Sequence, residues 1–498
     1  MLKAIEIENF KAFGKRVRIE FKNLTLISGL NGSGKSTIYQ ALLLLDQSKN
    51  HHFKEKDGSI VPYLNLEGEF IHFGVPKEIL NNPRKKWLIF HLEFQNNIKI
   101  IYKYQVSRAS KITLSQLKEK VFFLSQVTFF ENGKKVFYVQ KIGKGWYVEA
   151  ESCLRFAFFE FQQYFVEEFL DILKKKKIEL PKGKAAFPFC EKVVFDNIKS
   201  VNLRGSGLFG LEIPFCEILN TIKPEYRGYF KLEKIEKMAK ERGLPSDIVI
   251  IVNSEWERWR SISILKNRVR FIPPFRDFPK RIYTRSGEPN PLNLYLSKMD
   301  DTIEFDFDFT ENIPRKGTLE EGFAYWVEKE FKLAKKVFVE ELVTNLVSEI
   351  NFKRGEKIIS IINMGFGTSQ IIPVIFRILL SHKGIVLIVD EPEIHLHPSM
   401  QSKLADFFFT MALIGKKIIV ETHSEYIIDR LIYLTLKYED KKKYINLLWV
   451  KSDRKQTEVE NIQYDELGYL LNPPEDFLSE KKKLVEELTR ERMKKLEE

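Results

Sequence analysis

The run Gly29-Leu30-Asn31-Gly32-Ser33-Gly34-Lys35-Ser36-Thr37 fits the pattern G-x-x-x-x-G-K-[ST]. In that pattern the backbone N–H groups of a glycine-rich loop wrap phosphates ahead of a helix. Asn31, Gly32, Ser33, Gly34, Lys35, Ser36 and Thr37 are therefore candidate nucleotide-binding residues. A second pair, Asp390 and Glu391, closes the apolar run Gly384-Ile385-Val386-Leu387-Ile388-Val389. A magnesium nucleotide needs an acid near the metal, a group that activates water, and a sensor of the terminal phosphate. Asp390 at a strand tip suits holding magnesium through water, with Ser36 as the direct hydroxyl ligand. Glu391, one residue on, suits a general base facing the attacking water. ATP and Mg2+ are the cofactors this chemistry calls for.

These residues need elements to hold them. Asn23 to Ser28 reads as a strand and Thr37 to Leu45 as a buried helix, the context a phosphate loop requires. The runs ending at Asp390-Glu391 and at Glu421-Thr422-His423 are continuously apolar. That suits buried parallel strands covered on both faces, and Ser399 to Met411 reads as a helix between them. Residues 58 to 150 look rich in short strands, Ile98 to Val106 and Val136 to Glu149 among them, with a turn at Glu131-Asn132-Gly133. Phe158 to Lys177 and Phe323 to Ile350 carry apolar residues three and four apart, which predicts amphipathic helices. Segments 180 to 188, 204 to 210 and 285 to 292 read as linkers. Ile445 to Val450 and Thr457 to Ile462 read as strands and Ser479 to Leu496 as a charged helix. No apolar heptad pattern runs long enough for coiled-coil arms.

Composition sets the outer bounds. At 498 residues the chain is long for one domain, and 44% hydrophobic with 13% aromatic residues can bury a sizeable core. No stretch of roughly eighteen apolar residues predicts a membrane span, and the N-terminus lacks the apolar core of a signal peptide. Cys153, Cys190 and Cys216 have no metal spacing and read as thiols of a cytoplasmic protein. The 80 Lys and Arg against 68 Asp and Glu give a net charge of +12. The basic runs flank helices and alternate with Glu, so a solvated surface explains them better than a dedicated nucleic-acid stripe.

Asp390-Glu391-Pro392-Glu393-Ile394-His395-Leu396-His397-Pro398, followed by Glu421-Thr422-His423-Ser424-Glu425, resembles the second half of an ABC-type ATPase head. The version is that of the overcoming-lysogenization-defect, RecF and SMC-like group. The chain is similar there to predicted prokaryotic ATPases with a small C-terminal domain of unknown function. Asn363-Met364-Gly365-Phe366-Gly367-Thr368-Ser369-Gln370 resembles their signature motif. Ile5 to Phe13, Arg270 to Arg276 and the ending Tyr464 to Phe477 also look like theirs. The likeness covers residues 1 to about 90 and 265 to 480.

By resemblance, Lys35 would bridge the β- and γ-phosphates, Thr37 would reach the α-phosphate, and His423 would be the switch histidine at the γ-phosphate. Ser369 and Gln370, with the backbone at Gly365 and Gly367, would cap the ATP of an opposite protomer in a homodimer or a higher oligomer built of dimers. His395 and His397 would lie in the loop across that seam. An H-x-H pair can ligate a metal, but no third ligand is evident. For the loop glutamine that completes the magnesium shell in such heads, Gln95 is the candidate, with no motif around it.

The fold class expected is α/β, an ABC-type P-loop head with a mixed, partly helical inserted region. Its parts are an N-terminal lobe at 1–90, an insertion at 91–264 for sensing or partner binding, a C-terminal lobe at 265–440, and a small C-terminal domain at 441–498. No D-x-D pair or histidine cluster follows His423, so a nuclease of its own is not expected. The resemblance implies antiphage defence, where similar ATPases of Septu, PARIS and retron systems restrain an effector such as a nuclease. Two alternatives stand beside it: a RecF-like ATPase that binds DNA, and a scaffold that uses ATP as structural glue with Glu391 idle. No membrane partner is expected.

Overall fold

The computed structural model describes residues 1–48, 52–54, 60–95, 97–108, 120–142, 145–150, 269–276, 280–281, 283–284, 297–343, 347–453, 456–471, 487–490 and 492–493. The helix expected at 158–177, the three cysteines and the linkers at 180–188, 204–210 and 285–292 lie outside these residues, as does most of 479–496. The chain divides into two compact units. One comprises Met1–Arg18 with Leu44–Lys266, the other Ile19–Leu43 with Asn267–Glu498.

The first unit holds an antiparallel sheet in the order Leu2–Glu8, Trp87–Phe94, Ile98–Arg108, Lys120–Glu131, Lys134–Ile142 and Gly145–Ala150. Alternation decides its two faces. Ile5, Ile7, Leu88, Phe90 and Leu92 are buried, while Lys3 pairs with Glu93 at 2.7 Å and Lys99 with Glu6 at 3.0 Å. The turn at Asn132-Gly133 has φ of 49° and 79°, the left-handed pair that a tight hairpin requires. Gln95 follows Trp87–Phe94 in this unit, its backbone N–H donating to Met1 O at 2.9 Å.

The second unit is built on a sheet in the order Val269–Ile272, Val386–Asp390, Lys417–Glu421, Leu24–Gly29, Ile445–Asp453 and Gln456–Asn461. The first five strands are parallel, and the last returns antiparallel. Leu24–Gly29 and Lys417–Glu421 are buried at every position, as apolar runs covered on both faces demand. The strands from beyond residue 440 thus complete the same sheet as the phosphate loop. Helices Phe366–Leu380, Pro398–Leu413 and Glu425–Lys437 follow the strand-bearing runs. Phe323 stacks on Phe376 with ring centroids 4.0 Å apart, and Trp326 meets Phe407 edge-on at 4.7 Å in the same core.

The helix expected across 323–350 is a correction. Helix forms over Leu319–Ala324, opened by a capping box between Thr318 and Glu321, and runs through a π turn, Tyr325–Glu330. Beyond it Lys336–Val343 and Val347–Arg354 form antiparallel strands. Val337 and Val339 lose side-chain freedom in a helix and pack against the core from a pleated surface. The i, i+3 spacing of Phe323 and Trp326 was real, but it ended at the π turn.

Two lysines enter this core. Lys417 is 0% exposed and donates to Phe21 O at 3.1 Å, and Lys416 donates to Leu379 O and Ser381 O at 2.9 and 2.7 Å. Burial holds their amines down, to about 8 and about 7 respectively. Above about pH 7 the unfolded chain therefore keeps protons that the folded chain has released, so stability rises with pH until the unfolded amines also titrate. Urea midpoints should climb between about pH 7 and about pH 10, and Lys417→Met should flatten the slope.

Candidate nucleotide site

The phosphate loop hangs between Leu24–Gly29 and the helix starting at Lys35. Gly29, Gly32 and Gly34 have φ of 149°, 75° and 96°, backbone that side chains rarely adopt. At Gly29 a Cβ would lie 2.2 Å from Val450 O on the neighbouring strand. Asn31 and Gly32 are exposed, whereas Ser33, Lys35 and Thr37 are buried. The Lys35 amine donates to Gly29 O at 3.1 Å and Leu30 O at 2.8 Å, folding it over its own loop.

Strand order brings the acids to this loop. Lys417–Glu421 lies between Leu24–Gly29 and Val386–Asp390, and Asp390 pairs in register with Glu421. Asp390 Oδ2 accepts a hydrogen bond from Tyr39 OH at 2.7 Å, and Tyr39 stacks on Phe271. Ser36 Oγ donates to Glu421 Oε1 at 3.2 Å, and Lys35 Nζ stands 3.9 Å from the same oxygen. Burial, reinforced by Asp390, pushes the Glu421 carboxyl up to about 7. Burial raises Asp390 as well and lowers Lys35.

Glu391 leaves the strand with φ of 40°, and its N–H donates to Glu421 O at 3.0 Å. A non-glycine residue in this region is strained by about 1–3 kcal/mol, a cost that persists where the surroundings impose it. His423 Nε2 stands 3.5 Å from Glu391 Oε1. The His423 backbone N–H donates to Glu393 Oε1 at 2.6 Å, which fixes the start of that loop. Burial, with the charge of Lys35, lowers the His423 imidazole below its usual value, so it is neutral at pH 7. Arg276 Nη2 lies 3.5 Å from the carbonyl oxygens of both Asp390 and Glu391.

Lys35, Ser36, Asp390, Glu391 and His423 thus converge on neighbouring strand tips. Ser369 and Gln370 do not face outward as the resemblance implied. Both are buried within helix Phe366–Leu380, and Ser369 Oγ donates to Phe366 O at 2.7 Å. The outward turn is Gly365 to Thr368, with Gly365 at the N-cap and no side chain capping it. Gly367 is pressed against His395, since a Cβ there would lie 2.2 Å from His395 O. His397 caps the helix Pro398–Leu413, accepting from Ser399 N at 3.3 Å. Among the described residues no three His, Cys, Asp or Glu side chains cluster to hold a metal. A cation arriving with phosphates needs only one or two carboxylates, so the oxygens of Ser36, Asp390 and Glu421 suit Mg2+.

Three residues escaped the sequence reading. Tyr39 braces Asp390, Glu393 holds the backbone of His423, and Glu421 takes the hydroxyl of Ser36. Only strand order could have signalled Glu421.

A parallel sheet with a glycine-rich phosphate loop at one strand tip and paired acids two strands away defines a P-loop nucleotide-binding fold. The chain belongs to the AAA ATPase domain family, whose pattern matches residues 1–204 and 288–428. Over 63 residues it is 51% identical to the chromosome partition protein Smc of Fusobacterium nucleatum, covering 12% of this chain and 5% of that protein. The chain thus spans about a twentieth of that relative's length. Among solved structures it is similar to the SMC head domain from Thermotoga maritima, at 11% identity and TM-score 0.37, over 93% of this chain and 99% of that one. It is also similar to an Smc head bound to the C-winged helix domain of ScpA, at 14% identity and TM-score 0.38, over 94% and 98% of the two chains. Among the described residues no helix is long and apolar enough to cross a membrane.

Proposed function

We propose that this chain binds magnesium ATP at the Gly29 loop, hydrolyses it with Glu391, and uses the cycle to control a partner protein. The convergence of Lys35, Ser36, Asp390, Glu391 and His423 on adjacent strand tips carries this reading. The loop N–H groups and Lys35 would hold the phosphates, Lys35 exchanging its bonds to Gly29 O and Leu30 O for phosphate oxygens. Ser36 and Asp390 would hold Mg2+, which supplies charge neutralisation at the phosphates. Glu391 takes a proton from the attacking water as its oxygen bonds to the γ-phosphorus. The bond from that phosphorus to the β-bridging oxygen breaks, and its electron pair leaves on ADP. A neutral His423 beside Glu391 donates to a γ-phosphate oxygen.

Two heads would close around two ATP molecules, with the uncapped first turn Gly365 to Thr368 of one facing the γ-phosphate of the other. Helix N-termini favour anions in this way. Mass photometry of the Glu391→Gln variant should show dimers with ATP and monomers with ADP. Monomers under both conditions would end the dimer proposal.

The partner proposed is an effector, a nuclease in a prokaryotic defence system of the cytoplasm. Residues 91–264 would serve as its docking region, the head lobes as 1–90 and 265–440, and 441–498 as a C-terminal element. Co-purification with the product of the neighbouring gene tests this, and no complex with or without ATP would exclude it. The net charge of +12 favours a second reading, direct DNA contact. That reading requires affinity falling steeply with salt, because phosphate contacts release counterions. No binding at low salt would remove it.

A further inference from the structure

We infer that Glu421 supplies a carboxylate to the Mg2+ shell beside Ser36 and Asp390. The inference rests on the magnesium ATP reading and adds a residue to it. Glu421 sits at the tip of the strand between the phosphate loop and Asp390, and is 4% exposed. Its Oε1 accepts from Ser36 Oγ at 3.2 Å. A hydroxyl has one proton and two lone pairs. Donating its proton to Glu421 turns the lone pairs of Ser36 toward a cation, the orientation a direct hydroxyl ligand needs.

The other oxygen carries the argument further. Glu421 Oε2 is buried without a hydrogen-bond partner. A buried carboxylate oxygen left open is costly, and such charges are retained where they are paired or coordinate a metal. The nearby donors are committed elsewhere: Tyr39 OH to Asp390, and the Lys35 amine to Gly29 O and Leu30 O. A role confined to bracing Ser36 uses Oε1 and leaves Oε2 unexplained. A divalent cation beside Ser36, or a water on that cation, satisfies Oε2 with the hard oxygen chemistry Mg2+ prefers. Asp390, in register with Glu421 on the next strand, supplies the second carboxylate.

The test compares wild type with Glu421→Ala and Glu421→Gln. Affinity for a fluorescent ATP analogue is measured with Mg2+ and with EDTA, and Mn2+ affinity of the ATP-bound protein is read by electron paramagnetic resonance. Glu421→Ala should weaken Mn2+ binding about 10–100-fold, as losing a supporting group at a metal site does. The gain in nucleotide affinity from Mg2+ should shrink in parallel, while affinity in EDTA stays within about twofold of wild type. Glu421→Gln, nearly the same shape and still bearing one oxygen, should fall between the two. An unchanged Mg2+ gain in folded Glu421→Gln and Glu421→Ala would overturn the inference, and Glu421→Gln alone decides if the alanine variant does not fold. An equal loss with and without metal would overturn it too, marking a purely structural acid. Wild type that ignores the analogue altogether would remove the nucleotide reading and this inference with it.

Discussion

Glu391→Gln should lower steady-state ATP turnover by about 10²–10⁴-fold, the range general-base catalysis contributes, while ATP binding persists. The substitution keeps shape and hydrogen-bonding reach but removes the proton acceptor. Its backbone does not depend on the charge, because the left-handed φ of 40° is held by the N–H bond to Glu421 O. The neighbouring contact, 3.5 Å from His423 Nε2, keeps its spacing because glutamine matches glutamate in size. Phosphate release and analogue binding, measured on the same preparation, check both halves. Turnover within about threefold of wild type would show that another group activates the water, and would move the assignment away from the acid after Asp390.

Gly29→Ala should weaken nucleotide binding by about 10²-fold or more, although Gly29 presents no side chain to phosphate. The new methyl would lie 2.2 Å from Val450 O and 3.1 Å from Ser33 Oγ, and the backbone there has φ of 149°. Backbone oxygen cannot rotate aside, so the strands must part or the loop must shift. Displacement of positioning groups by about 1 Å can cost about 10²-fold in function, and the strained residue adds about 1–3 kcal/mol. Gly32→Ala is the control, because nothing lies within 4 Å of the added carbon and only its φ of 75° is strained. Isothermal calorimetry with ATP and thermal melting of both variants separate the two causes. Equal losses would put conformational strain, rather than the approach of Val450, in charge of the loop.

The parts of this site legible in the sequence are those whose chemistry dictates residue type at fixed spacing. A phosphate loop needs Gly29, Gly34 and Lys35 at their intervals, and paired acids after an apolar run announce Asp390 and Glu391. The parallel strands were legible for a related reason: full burial leaves no polar alternation to mislead. Glu421 was hidden because its role depends on which strand inserts between the other two, a fact of topology rather than spacing. Ser369 was misjudged through orientation. A helix beginning at Phe366 turns its fourth residue back into the core, and the outward turn falls to the glycines before it. Residues 331 to 350 misled because short apolar runs carry both periods, and pairing between Lys336–Val343 and Val347–Arg354 decided between them.

The phosphate-loop strand has a consequence for how the protein is made. Leu24–Gly29 leaves the ribosome well before its two partners, Lys417–Glu421 and Ile445–Asp453. At about 5–20 residues per second, this fully buried strand waits about 20–80 s for its first neighbour. Pairings so distant along the chain are slow to close, and the unpaired strand is open to chaperones and to misassociation meanwhile. Synthesis halted before Ile445 leaves Gly29 without the Val450 carbonyl beside it. The complete neighbourhood of the phosphate loop therefore exists only once synthesis has passed Val450.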